Sequence, residues 1–321
     1  MFPKKRISAQ ADKAYVAPAS SWNKKFIKIK VNWQLYVLLF PTLVYFILFQ
    51  YGPMYGLQIA FKDFSPMKGI WGSEWVGITH FESFLASPQF YDILKNTLLL
   101  SAYELILFPI PVILALLMNQ LRYHRFKRFA QTVTYAPHFI SVVVLIGMLY
   151  LFLGVRTGLV NIGLEAIGLE AINFLASPEW FKHLFVWSGV WQNAGWGTII
   201  YLAALASVSP ELHEAAVMDG ASKFQRIIHI DLPSIMPTIV ILLLLNMGNF
   251  MAVGFEKAYL MQNSLNVESS EIIQTFVYKR GILNTQYSYS AAVGLFNNVI
   301  NFIILLSMNR LAKMMKQNSL W

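Results

Sequence analysis

The sequence predicts an all-α integral membrane protein with about six transmembrane helices. Three observations lead there. The 321 residues are 56% hydrophobic and only 13% charged, with a mean hydropathy of +0.51. A soluble domain carries about 25% charged residues. Six runs stay apolar over the ~20 residues that a helix needs to cross a bilayer. Lys and Arg gather in alternate loops, as they do in segments retained in the cytoplasm. The formal charge of +9 therefore reads as topology rather than as affinity for nucleic acid. The sequence has no cysteine, which excludes disulfides, thiolate metal sites and cysteine nucleophiles.

The expected spans are 33–51, 93–119, 132–154, 183–208, 234–254 and 289–309. They form a transmembrane domain over 33–309, between a basic tail at 1–32 and a tail at 310–321. The run before the first span, with Lys4, Lys5, Arg6, Lys13, Lys24, Lys25, Lys28 and Lys30, is too long for a cleavable secretory signal. The first span therefore reads as a retained helix. The second loop holds Arg122, Arg125, Lys127 and Arg128 without an acid, and the last tail holds Arg310, Lys313 and Lys316. Six spans put these three segments on one side, so both termini are expected in the cytoplasm. The loop 209–233 joins them by parity, although its Lys223 and Arg226 face four acids. The outer loops are then 53–92, 155–182 and 254–288. In the second of these outer loops, Glu165 and Glu170 repeat in "GLEAIGLEAINFL", which reads as an amphipathic outer helix. Pro109 and Pro111 are expected to kink the second span, either as a flexing point or as a static bend.

The loop 209–233 is polar amid apolar neighbours. Ser209 can cap a helix with Pro210 at its first position, where a missing N–H costs nothing. Glu211 suits the positive helix end. Gly220 is the residue type for a left-handed stop. Ser222 and Gln225 form a capping box for a second helix, with Phe224, Ile227 and Ile228 on one face, which Pro233 is expected to end. Two short helices with a sharp elbow result. Ala215 and Ala216 allow close approach, and Glu214 and Asp219 offer carboxylates. The elbow serves either as a knob for a partner's cleft or as a plain helical connector.

The stretch "EAAVMDGASKFQRIIHIDLP" resembles the EAA loop of ATP-binding-cassette importer permeases. The family pattern is E-A-A, three residues, G, nine residues, I-x-L-P. Glu214, Ala215, Ala216, Gly220, Ile230, Leu232 and Pro233 fill it without departure. The outer stretch "YGPMYGLQIAFKDFSPMKGIWGSEWVGITHFESFL" is similar to sugar permeases of this class, in the branch for larger oligosaccharides and lipo-oligosaccharides, with alginate as the first substrate it suggests. The resemblance covers most of the chain from the first span onward. It implies a type I importer permease fold in a bacterial inner membrane. It also implies coupling through the EAA loop to two separate ATPase subunits, which bind ATP and Mg. A second permease subunit and an external solute-binding protein, met by loops 53–92 and 254–288, complete the expected partners.

No G-x-x-x-x-G-K-[S/T] phosphate loop occurs, so the chain has no ATP site of that kind and is expected to be a transport subunit rather than an enzyme. It likewise lacks H-E-x-x-H and G-x-S-x-G, so no metal or catalytic residue is expected. The alternative class is a self-powered secondary transporter, for which related halves and core acids would speak. Only Glu104 lies well inside a span, as a pathway group or as a hydrogen-bonded bystander. A membrane-embedded transferase would need outer-loop acids or a metal cluster, and none stands out.

A sugar pathway needs stacking faces and hydrogen-bond partners. In "VWSGVWQNAGWG", Trp187 and Trp191 are four apart, and Gln192, Asn193 and Trp196 follow. The fifth span adds Asn246 and Asn249, and the sixth adds Asn297, Asn298 and Asn301. These are the expected pathway residues. The tryptophans alternatively form an interfacial belt, and the asparagines alternatively bond helix to helix.

Overall fold

The structure, a computed structural model, describes residues 30–314. Lys4, Lys5, Arg6, Lys13, Lys24, Lys25, Lys28 and Lys316 of the two basic tails lie outside the described residues. The chain divides into a unit up to Leu57 and a unit from Gln58. The first unit is dominated by α1 (Trp33–Phe46), which continues through a π turn at Ile47–Tyr51. None of its residues is buried, and Pro41 sits within it. Apolar side chains all round are what a lipid-facing helix carries.

The second unit opens with a two-residue antiparallel ladder, β1 (Lys62–Asp63) with β2 (Glu74–Trp75), pairing Lys62 with Trp75. Lys62 is buried there, donating to Ile70 O at 2.7 Å with its Nζ 5.0 Å from the centroid of the Trp75 ring. After α2 (Thr79–Leu85) come α3 (Phe90–Leu107) and α4 (Pro109–Asn119), separated at Phe108. Pro109 takes the first helical position, so the expected kink is a one-residue interruption in a continuous apolar run.

The third expected span is broken. α5 (His124–Tyr135) runs through a 3-10 turn, and α6 (Val142–Leu153) leaves it at 99°. Ser141 caps α6, and Gln192 Nε2 donates to the freed Ile140 carbonyl at 2.7 Å. A carbonyl lost from a helix inside a membrane protein needs such a partner. α7 (Leu159–Ala166) then closes on Gly168 at φ 82°, with Leu169 N donating to Leu164 O. Glu165 is therefore helical and Glu170 is not, and the glycine stop separates the two repeats.

α8 (Pro178–Ala206) has 29 residues and is the hub of the unit. It passes so close to α5 that a Cβ at Gly195 would lie 2.0 Å from the Thr134 carbonyl oxygen. α9 (Pro210–Met218) and α10 (Lys223–Arg226) follow, then α11 (Leu232–Met247), α12 (Phe255–Met261), α13 (Ile273–Tyr278) and α14 (Tyr287–Met314). The fifth expected span stops seven residues early, at Met247 instead of 254, because Asn301 binds the turn that follows. Its Nδ2 donates to Gly248 O and its Oδ1 accepts from Met251 N at 3.0 Å. Among the described residues four helical runs are long and apolar enough to cross a membrane, and the bent α5–α6 pair makes a fifth if counted as one. α8 matches them in length but dilutes its apolar residues with Gln, Asn, Ser and Gly.

Three apolar clusters hold the second unit. Leu100, Phe181, Phe185 and Ile272 form one. Phe84, Ile93, Phe276 and Val293 form another, with Phe84 and Phe90 edge to face at 5.1 Å. Ala115, Tyr201, Leu205 and Ile235 form the third, where α4, α8 and α11 meet.

Candidate functional site

The 209–233 loop folds from its own sequence. Ser209 Oγ accepts from Glu211 N at 3.3 Å, with Pro210 at the helix start. Gly220 adopts φ 80°, and the next amide, of Ala221, returns to Ala216 O at 2.8 Å. Ser222 N donates to Gln225 Oε1 at 2.7 Å while Gln225 N donates to Ser222 Oγ at 3.3 Å, the reciprocal box. Pro233 does not end the second helix. α10 widens into a π turn at Ile227–Asp231 and continues as α11, with Pro233 in the first turn of the new register. A proline lacks the N–H that the old register would require, and the π turn removes that requirement. The elbow at Gly220 is therefore real, but its second arm belongs to the fifth span.

Nothing on α9 is buried. Glu214, Ala215, Asp219 and Gly220 are exposed, as are Leu212, Val217 and Met218. Ile230 and Leu232 are half-buried, and Leu232 packs on the third apolar cluster. The pattern residues thus fall into an exposed set on α9 and an anchoring set on the arm.

A cavity of about 490 Å³ opens between α3, α4, α8 and α11. Glu104, Asn193, Tyr201, Asn246 and Asn249 supply its polar lining, with Phe108 and Pro111 among its apolar walls. Asn246 Nδ2 donates to Leu242 O of its own helix at 2.9 Å. Asn193 Oδ1 lies 3.0 Å from His138 Nδ1. Lys257 lies behind this wall. Its amine donates to Phe185 O and would be 3.0 Å from a Cβ at Gly189, a tight approach that the lysine would have to relieve. Burial pulls Lys257 down to about 8, against the opposing pull of Glu104.

The expected pathway residues do not gather in one place. Asn193, Asn246 and Asn249 line the 490 Å³ cavity. Trp187 and Trp191 line a second, apolar cavity of about 420 Å³ with Leu145 and Met148. Trp187 Nε1 donates to Tyr103 OH at 2.9 Å. Trp196 stacks on His138 with centroids 4.6 Å apart and rings 6° from parallel. Gln192 is spent on the Ile140 carbonyl, and Asn301 on the turn after α11. Asn297 is buried, and its Oδ1 lacks a hydrogen-bond partner; Asn298 is exposed. Sequence reading missed His138, Tyr201 and Lys257. His138 and Lys257 carried no local signal, because their partners lie 55 and 72 residues away.

Long apolar helices, a polar-lined cavity between them and an exposed elbow on one connecting loop define a membrane transport component. The family of binding-protein-dependent transport system inner membrane components matches residues 108–317, and the chain belongs to it. Protein LplB of Bacillus subtilis is 46% identical over 288 residues, which is 89% of this chain and 91% of that protein. The polygalacturonan/rhamnogalacturonan transport system permease protein YteP of the same organism is 44% identical over 312 residues, 96% and 97% of the two chains. A chain in the crystal structure of a bacterial alginate ABC transporter, in complex with alginate pentasaccharide-bound periplasmic protein, superposes with a TM-score of 0.85. That chain is 38% identical, over 92% of this chain and 99% of its own length.

Proposed function

We propose that the chain is one permease subunit of an ABC-type importer and forms half of the translocation pathway for an acidic oligosaccharide. The exposed elbow carries the reading. α9 stands with no buried side chain, offering Glu214 and Asp219 beside exposed Leu212, Val217 and Met218. Such a surface suits a cleft on a separate ATPase subunit, and the chain's lack of a phosphate loop requires one. Two ATPase subunits with ATP and Mg, a second permease and an external solute-binding protein are the partners. The substrate class draws on YteP, whose name specifies polygalacturonan, and on the alginate transporter; both glycans are uronates. The basic loop 121–128 supports a cytoplasmic side for the elbow and for both termini. Asn193, Asn246 and Asn249 serve as hydrogen-bond partners along the path.

The test is reconstitution of the complex in proteoliposomes. ATP-driven uptake of a uronate oligosaccharide is expected to exceed that of a neutral one of equal length. Glu214→Lys is expected to weaken ATPase binding and reduce uptake per ATP, since close charge pairs at interfaces couple by about 1.5 kcal/mol or more. ATP hydrolysis by the purified chain alone, or uptake driven by an ion gradient without ATP, overturns the reading. Preference for the neutral sugar overturns its substrate part.

A further inference from the structure

α9 poses a mechanical difficulty. A lever must be fixed to what it moves, yet this helix buries nothing. Along it only His213 and Ala216, three residues apart on one face, are even half-buried. Apolar packing therefore cannot hold it, since burial is what supplies that energy.

Among the described residues, its one polar tie to another element runs from His213 to Asp231. Asp231, the variable place in I-x-L-P, is fully buried at 0% exposure. Its Oδ2 accepts from Gln120 Nε2 at 3.0 Å. Its Oδ1 lies 3.2 Å from His213 Nε2, too far off axis for a directed hydrogen bond, and is otherwise unpartnered. Arg226, on the same arm, adds a cation whose field reaches Asp231, and its Nε is buried without a hydrogen-bond partner. A buried carboxylate is costly unless charges and donors surround it. Here each comes from a different element: Gln120 from the end of α4, His213 from α9, and Arg226 from α10. The carboxylate stands at the start of α11, beside the third apolar cluster, to which Ile227 and Leu232 of the same arm contribute.

We propose that Asp231 is the strut of the coupling loop, a positioning residue that ties α9 through His213 to the head of α11 and through Gln120 to the end of α4. The proposal rests on the coupling role given to the elbow above. Movement of α9 is then delivered to two spans at once, and both spans wall the 490 Å³ cavity. His213 does not touch the partner in this arrangement. It acts only by fixing where Glu214, the next residue, is presented.

The assembled complex tests this with three variants of His213 and its neighbour. His213→Ala removes the tie. His213→Gln keeps an N–H donor that can reach Asp231, and Glu214→Lys is the control for the coupling reading itself. The readouts are uronate uptake per ATP hydrolysed in proteoliposomes, and the mobility of a spin label at Glu211, an exposed site in the first turn of α9 outside the proposed docking surface. His213→Ala is expected to leave assembly intact, lower uptake per ATP by about fivefold, the worth of one or two lost contacts, and mobilise the label. His213→Gln is expected to restore both toward wild type. Asp231→Asn with Gln120→Ala is expected to mobilise the label as His213→Ala does. A mere folding defect would lower uptake and hydrolysis together and leave their ratio unchanged. If Glu214→Lys lowers uptake per ATP while His213→Ala changes neither the ratio nor the label, the strut is overturned and the coupling reading stands. If Glu214→Lys also has no effect, the coupling reading falls and takes the strut with it.

Discussion

The elbow at 209–221 and the cavity between α3, α4, α8 and α11 draw on partners at different distances along the chain. In the elbow the hydrogen bonds close within about one turn, Ser209 to Glu211, Ala221 to Ala216 and Ser222 to Gln225, while the His213–Asp231 approach reaches out to the arm. Around the cavity Asn246 and Asn193 also donate within a turn, to Leu242 O and Gly189 O, but further bonds there cross the chain: Asn193 to His138, Lys257 to Phe185, Gln192 to Ile140. The elbow is thus a preformed local object that can be displaced as a unit. The cavity wall exists only once distant segments have packed. Substitutions should divide accordingly, with elbow variants altering function while the bundle stays folded, and wall variants altering the bundle itself.

The largest effect should come from Gly195→Ala. A Cβ 2.0 Å from the Thr134 carbonyl oxygen forces α5 from α8, at a cost of about 3 kcal/mol. Thermal unfolding in detergent should fall by many degrees, and a variant as stable as wild type would show that the contact can slide. Gly220→Val comes next. A β-branched residue at φ 80° is strained by about 1–2 kcal/mol, but nothing lies within 4 Å of its Cβ. Global melting should be unchanged while ATPase subunits are lost on purification, whereas a lowered melting temperature would blur the division between the two regions.

Lys257 offers a pH experiment on the cavity side. Its folded value of about 8 lies below the 10.5 of an exposed lysine. The unfolded chain therefore binds more protons between these values, and stability attributable to this group rises with pH there, by about 1 kcal/mol from pH 8 to pH 9. Below pH 8 the contribution is flat. The difference in melting temperature between wild type and Lys257→Met should shift across pH 8–9; a constant difference would mean the amine is not held in a dry site. The smallest effect belongs to Ser222→Ala, which removes one side of an exposed capping box at ~1 kcal/mol of local helix stability or less. Amide exchange should quicken at 223–226 only. Faster exchange throughout α11 would mean that the arm and the fifth span unfold as one.

Much of the elbow was legible because its instructions are short-range. Proline at a first position, glycine at positive φ and a serine–glutamine box act within four residues, and all three hold in the structure. Pro233 misled, because a stop and a register change use the same residue; in the structure the arm continues, with Ile227 and Leu232 packed on the third cluster. In α8 the helix itself was legible, but its faces were not. The four-residue spacing of Trp187 and Trp191 correctly puts them on one side, in the apolar cavity, yet nothing local tells that Asn193 turns to a different cavity.

By itself, the sequence determined the apolar helices, the caps, the glycine stop and the pattern of the 209–233 loop, because each depends on hydropathy or on neighbours within a turn. Tertiary structure alone decided where the third span breaks, which asparagines line a cavity and which are consumed by backbone, and that Asp231 meets both Gln120 and His213. Those outcomes turn on contacts between segments tens to more than a hundred residues apart. A buried polar group takes whichever partner the packed helices bring within reach, and that choice has no period or spacing to be read along the chain.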